Sequence, residues 1–178
     1  KAATTLLVSD LEEMVENWKA DGEARKTLVG GDAKAGIQTM LTGMGSLSYG
    51  ELAGERMKLG LMLHDPEEEQ DCFSDNTWSS HLNDTVGIRN VYLGSYTRID
   101  GAKVSGPSLS ALVKEVDSGV DAELTGKLDA TVARMEAIKA RAEAGEAYDQ
   151  QIGEGNAEGN AIIQAAIDAL VDQTKSIE

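Results

Sequence analysis

The chain has 178 residues, enough to bury the core of one sizeable domain or of two small ones. It carries 16 Lys and Arg residues against 31 Asp and Glu residues, and its formal net charge is −15. Nucleic-acid phosphates and anionic membrane surfaces would repel such a chain, so we expect no nucleic-acid partner, whereas metal ions and other cations are compatible with it. The hydrophobic content of 41% excludes a disordered acidic tail.

Cysteine content and apolar runs narrow the class of protein further. Cys72 is the single cysteine, so no intramolecular disulfide can form. No run of 18 apolar residues occurs, so we expect no membrane span. The sequence starts at Lys1 without a Met or a signal-like stretch, and we therefore expect a processed or trimmed product.

The first part of the chain predicts two long helices. An apolar stripe with steps of four, three and four residues predicts a helix from the start to about residue 28, through Leu7, Leu11, Met14 and Trp18. The glycine pair at 30–31 ends it, and Asp32 can cap the next helix. That second helix is predicted from about 33 to 63, because the residue before Pro66 disfavours helix.

The second part of the chain predicts three more helices. The third runs from about Asn76 to Gly94, and a turn-rich loop follows over 95–107. The fourth runs from about Ser108 to Ala140, with a kink near 117–119. The last helix carries apolar side chains at helical spacing, at Ile163, Ile167 and Leu170.

Together these elements predict an all-α fold. We expect an up-and-down bundle of four to five helices that forms a single domain over residues 1–178. The expected loops lie near 64–75, 95–107 and 144–160, and the acidic run Glu67–Asp71 is expected to be solvated.

The second helix carries polar side chains where its apolar stripe should continue. An advance of about 100° per residue from Ile37 places three polar residues on the core-facing side, namely Ser48, Glu51 and Glu55. A buried carboxylate must be paired, protonated or bound to a metal, because unpaired burial costs several kcal/mol. We therefore expect these three residues to line an acidic pocket, with Glu51 and Glu55 as candidate metal ligands.

The third helix supplies two further candidates. Arg89 lies on its inner stripe, so either it forms a structural ion pair with Glu51 or Glu55, or it lines a polar pocket that meets a ligand or metal. His81 lies at the edge of that stripe and is a weaker metal candidate, the alternative being a partly exposed histidine without a ligand role. No paired-histidine metal spacing is present in the sequence.

Several motifs, in order, resemble the imelysin-like family and within it the iron-regulated protein A type. The resemblance covers about residues 37–110 and is carried by Gly43-Met44-Gly45-Ser46-Leu47, Gly50-Glu51-Leu52-Ala53-Gly54-Glu55-Arg56-Met57, Cys72-Phe73-Ser74-Asp75-Asn76-Thr77, Gly87-Ile88-Arg89-Asn90-Val91-Tyr92-Leu93-Gly94, Tyr96, Asp100-Gly101 and Gly106. Carried over onto matching positions, it implies that Asp75 joins Ser48, Glu51, Glu55 and Arg89 as a pocket-lining residue.

The resemblance also implies a cellular role. Members are all-helical with two bundle-like halves and are exported to the periplasm or outer-membrane surface of Gram-negative bacteria, and many are tied to iron acquisition. Some are classed as insulin-cleaving metallopeptidases, so iron or zinc is the implied metal. Their implied site lies between the halves and includes a Gly-x-His-x-x-Glu motif.

This chain departs from the family pattern at its histidines. Neither His64 nor His81 has a glycine two residues before it and a glutamate three residues after it. We therefore expect the chain to be the C-terminal half, with a partner N-terminal half that carries the motif. Three functions compete: a binding module for iron or an iron-bearing ligand, which we favour, a metallopeptidase that is inactive in this chain alone, and an inert structural bundle.

Overall fold

A computed structural model describes residues 1–178, and it is predominantly helical. The all-α prediction is confirmed. In chain order the helices are α1 (Ala2–Trp18), α2 (Glu23–Val29), α3 (Ala33–Gly45), a π-helix (Ser46–Lys58), α4 (Leu59–Leu63), α5 (Thr77–Leu93), α6 (Leu109–Val116), α7 (Ser118–Glu143), α8 (Tyr148–Ile152) and α9 (Ala157–Ile177). A 3₁₀ turn covers Pro66–Glu68, and the two short strands are β1 (Ser95–Thr97) and β2 (Lys103–Ser105).

Two compact units make up the chain, Lys1–Met40 and Leu41–Glu178, where the sequence analysis expected one helical domain. The boundary falls within α3. In the first unit neither α1 nor α2 buries any residue, and the apolar stripe of α1 is at least half exposed. The predicted single first helix is interrupted before Gly22, where a Cβ atom would lie 2.2 Å from the carbonyl oxygen of Asn17.

The second unit is a helical bundle. α7 packs against α5 and α9, and the π-helix packs against both α9 and α5, so the four helices close around one core. That core includes fully buried apolar side chains from all four helices: Leu52, Met57, Ile88, Tyr92, Leu128, Ile163 and Leu170.

Helix ends in the second unit follow local sequence signals. His64 and Gly94 end α4 and α5 in the left-handed conformation, with φ of 54° and 58°. Asp117 ends α6 and caps α7, because its side chain accepts hydrogen bonds from the Gly119 and Val120 amides. The predicted kink at 117–119 is therefore a complete break between two helices.

Two expected loops contain secondary structure that the sequence did not indicate. The loop at 95–107 holds the antiparallel pair β1–β2, in which Tyr96 is opposite Val104. The loop at 144–160 holds α8, which buries Tyr148 and Ile152 against the core. None of the helices combines the length and the apolar character needed to cross a membrane.

Candidate functional site

Buried positions along the run from α3 to α4 recur every four to five residues. They are Met44, Ser48, Leu52, Met57 and Leu61, with Ala53 beside Leu52. The reason is the π-helix, whose i→i+5 hydrogen bonds put more residues into each turn than an α-helix does. Each residue therefore advances by less than the 100° assumed from the sequence, and the two windings place different residues on the core-facing side.

The prediction that Glu51 and Glu55 face the core is wrong for this reason. Both residues are exposed on the outer face of the π-helix. An advance of 100° per residue would also place Leu59 and Met62 inside, but they are 43% and 66% exposed. Only Ser48 of the three polar candidates points inward.

Ser48 is fully buried and joins the π-helix to α9. Its hydroxyl donates to the carbonyl oxygen of Leu170 at 3.0 Å and accepts from the Gln173 amide nitrogen at 2.8 Å. The Thr174 hydroxyl lies 3.0 Å from the same oxygen. These contacts use the hydrogen-bonding capacity of Ser48 within the core, so the side chain has a structural role and does not reach solvent.

Arg56 is the centre of a charged cluster on the outside of the π-helix. Its guanidinium donates to Asp84 on α5 at 2.8 Å and to Glu51 at 3.1 Å. The side chains of Arg56 and Asp84 are 28% and 29% exposed, and that of Glu51 is 48% exposed. One cation thus ties two carboxylates from neighbouring helices together at the surface.

A third carboxylate, that of Asp71, lies in the loop before α5, and its charge acts on Asp84. The Asp71 side chain accepts a hydrogen bond from the Ser80 hydroxyl, and the Asp71 amide donates to the Thr77 hydroxyl at 2.9 Å. These two bonds anchor the loop to the first turns of α5. We call Glu51, Arg56, Asp71 and Asp84 together the acidic face.

The acidic face contains more carboxylates than cations, and this affects the pKa of Asp84. Burial raises the pKa of the Asp84 carboxyl, Arg56 opposes this shift, and the charges of Glu51 and Asp71 add to it. Two carboxylates share the Arg56 guanidinium and Asp71 adds a third, so the acidic face has more carboxylates than cations. Sequence reasoning identified Glu51 but missed Arg56, Asp71 and Asp84, because nothing in their spacing joins them.

Arg89 and Asp75 lie elsewhere. Arg89 pairs with Asp129 on α7 at 2.6 Å, so the expected ion pair of Arg89 with Glu51 or Glu55 is wrong. Asp75 is exposed in the loop before α5 and adopts a φ of 50°. Neither residue forms an ion pair or hydrogen bond with the acidic face.

His81 is fully buried, and not partly exposed as the sequence suggested. Neither ring nitrogen has a hydrogen-bond partner, and the ring meets Tyr148 edge to face with centroids 5.2 Å apart. Burial, with a smaller effect of the Arg56 charge, lowers the pKa of His81 to about 4 even though Asp71 acts in the opposite direction. The imidazole is therefore neutral at physiological pH.

Glu69 is a buried carboxylate where the sequence predicted a solvated acidic run. It is 5% exposed, and one of its oxygens has no hydrogen-bond partner. Burial raises the pKa of Glu69, the Thr77 hydrogen bond opposes the shift, and Asp149, Asp75 and Asp71 add to it. The run Glu67–Asp71 resembles an ordinary charged turn, and no pattern in it marks Glu69 as the inward residue.

The candidate metal ligands Glu51, Glu55 and His81 do not come together to coordinate one metal ion. No group of three or more His, Cys, Asp or Glu side chains is placed to hold an ion. Glu51 is engaged by Arg56, Glu55 lies exposed, and His81 is enclosed against Tyr148. The donors of this chain alone therefore do not fit a resident metal of the zinc or iron peptidase type, which requires at least three protein ligands.

Comparison with known proteins identifies the family of the chain. The sequence model of the imelysin family, which is classed among the peptidases, matches residues 1–177. No curated protein matches the chain.

Proposed function

This chain belongs to the imelysin family, and we propose that it is an exported binding module of bacterial iron acquisition whose acidic face takes up iron or an iron-bearing ligand. The observation that carries the proposal is the pairing of Glu51 and Asp84 with the single guanidinium of Arg56, with the charge of Asp71 close enough to raise the pKa of Asp84. Carboxylate oxygens are hard donors that suit iron, and a net charge of −15 attracts cations toward the surface.

The small number of donor groups in the acidic face limits which iron species it can bind. Since the chain assembles no three-donor cluster, carboxylates of the acidic face fill only part of the coordination sphere of an iron ion. The remaining ligands come from a neutral or cationic chelator, or from a partner N-terminal half that carries Gly-x-His-x-x-Glu. We propose that the acidic face meets that half at an interface, in the periplasm or at the outer-membrane surface.

The alternative function is a metallopeptidase of the insulin-cleaving imelysin type, and membership of a family classed among the peptidases favours it. Such an enzyme needs a zinc or iron ion with an open position for an activated water, and a general base beside it. Glu51 and Glu55 are accessible carboxylates that could serve as the base. The metal ligands would belong to the partner half, so this chain alone would have no activity.

Calorimetric titration with ferrous iron under anaerobic conditions tests the proposal. We expect saturable binding to the wild-type chain and at least a tenfold weaker affinity, about 1.4 kcal/mol, for the Glu51→Gln/Asp84→Asn variant. Asp129→Asn is the matched control, because Asp129 pairs with Arg89 away from the acidic face. Equal affinity of the double variant and the wild type would contradict the proposal.

Peptidase activity is distinguished by a second assay. The chain is mixed with an N-terminal half bearing Gly-x-His-x-x-Glu, and insulin is added as the substrate. Cleavage that disappears in Glu51→Gln with the fold intact would establish the peptidase function. If insulin is not cleaved and the chain still binds iron, the binding module is the function.

A further inference from the structure

A groove runs between the π-helix and α9 on the second unit, and none of its lining residues belongs to the acidic face. Its volume is about 430 Å³, within the range of small-molecule sites. The two helices are antiparallel, since Ser48 contacts Thr174 at one end and Gly60 approaches Ile152 beyond the other. Tyr49 therefore lies at the Val171 end of the groove, and Lys58 lies at the Gln164 end.

The depth of the groove depends on small residues. The buried side chains of Ala53 and Ile167 form its floor. Gly50 and Gly54 line one wall, and a Cβ atom at Gly50 would meet nothing within 4 Å. A larger side chain at Gly50 would thus extend into open space in the groove without a clash.

The two walls carry opposite charges. Lys58 on the π-helix takes no part in the ion pairs of the chain. Asp168 on α9 accepts one hydrogen bond, from the Gln164 amide at 2.8 Å, through Oδ1. Its second oxygen is available to a ligand. A molecule in the groove therefore meets a free cation on one wall and a carboxylate on the other.

The other end of the groove is apolar and aromatic. The Tyr49 ring is 59% exposed and stands beside the half-buried Val171. An apolar or aromatic group placed here would cover both side chains and remove their apolar surface from water, which favours binding. The groove thus runs from an apolar end to a charged end.

We propose that this groove binds a free amino acid with a large apolar side chain. The carboxylate of the ligand pairs with Lys58, its ammonium pairs with Asp168, and its side chain lies against Tyr49 and Val171. A zwitterion suits the site better than a simple anion, because the −15 charge of the chain repels anions while a zwitterion carries no net charge. This site is independent of the acidic face, and the two assignments can fail separately.

Titration of the full chain with L-phenylalanine, followed by NMR, tests the proposal. We expect saturable shifts of signals from Gly50, Gly54 and Ile167. Gly50→Leu should abolish these shifts because its side chain fills the groove. Gly126→Leu on α7 is the matched control, since a Cβ atom there also meets nothing within 4 Å and Gly126 lies outside the groove.

Two analogues test the charge assignment. 3-Phenylpropanoate lacks the ammonium and 2-phenylethylamine lacks the carboxylate, so each should bind at least tenfold more weakly than phenylalanine. In Asp168→Asn the advantage of phenylalanine over 3-phenylpropanoate should disappear. Equal binding of either analogue to the wild type, phenylalanine binding by Gly50→Leu, or no saturable binding would overturn the proposal.

Discussion

Polar side chains have opposite environments on the inner and outer faces of the π-helix. On the inner face, Leu52 and Met57 are fully buried, and the hydroxyl of Ser48 is tied to α9 by hydrogen bonds. On the outer face, Glu51 and Arg56 remain charged and partly hydrated. The same thirteen residues thus supply both a neutral core wall and a charged surface.

The difference between the faces shows that winding, as well as residue type, decides what a side chain does. In an α-helical winding Glu51 and Glu55 would have to be neutralised inside the core. In the π-helical winding both carboxylates reach solvent, and Glu51 pairs with Arg56 five residues later. A carboxylate that would destabilise the core becomes part of a charged cluster at the surface.

The largest expected effect comes from exchanging an inner methionine for alanine. Met57→Ala should lower the free energy of unfolding by about 2–5 kcal/mol, because Met57 is fully buried. Met62→Ala, at a residue that is 66% exposed, should change it by less than about 0.5 kcal/mol. Urea denaturation measures both. A larger loss for Met62 than for Met57 would mean that the run is wound as an α-helix.

The pH dependence of stability gives the next largest effect. The pKa of His81 is about 4 in the folded chain against 6.5 for an ordinary histidine, so the unfolded chain takes up a proton first as the pH falls. The stabilising contribution of neutral His81 is fully present above pH 6.5. It is lost as the pH falls from 6.5 to 4, and the total loss is about 3 kcal/mol.

His81→Phe isolates this contribution, because it removes the titrating ring while keeping an aromatic contact with Tyr148. Asp84 and Glu69 have raised pKa values, so protonation of these carboxyls stabilises the folded state as the pH falls, and both are present in the variant and the wild type. The free energy of unfolding of His81→Phe, relative to that of the wild type, should therefore rise as the pH falls from 7 to 4. A constant difference would show that His81 does not titrate in this range.

A smaller loss is expected from the hydrogen bonds of the inner face. Ser48→Ala removes the acceptor of Gln173 and the donor to Leu170, and should cost about 1–3 kcal/mol. Ser46→Ala, at an exposed position of the same helix, is the control and should be nearly neutral. If thermal denaturation gives equal stabilities for the two variants, Ser48 does not join the π-helix to α9.

Local signals in the sequence were sufficient for most helix ends. Pro66, Gly94 and Asp117 mark the end of α4, the end of α5 and the start of α7, because each acts through its own backbone or side chain. The apolar stripe of α1 was also correctly read as helical, but periodicity alone could not tell that none of its residues would be buried.

The candidate site could not be predicted in the same way. Glu51 was found for the wrong reason, since the assumed 100° advance does not apply to a π-helix. Asp84 meets Arg56 across 28 residues of sequence, and that contact depends on how α5 packs against the π-helix. The motifs of the family resemblance include Glu51 and Arg56 but neither Asp71 nor Asp84, and the fold decides which residues meet.

The assignment of the acidic face is tested most directly by NMR of the isotope-labelled chain during titration with paramagnetic ferrous iron. We expect the amide signals of Glu51, Arg56, Asp71 and Asp84 to broaden first, while those of Asp117 and Asp129 stay sharp at low iron concentration. Broadening that begins elsewhere, or that is uniform over the many surface carboxylates, would contradict the account.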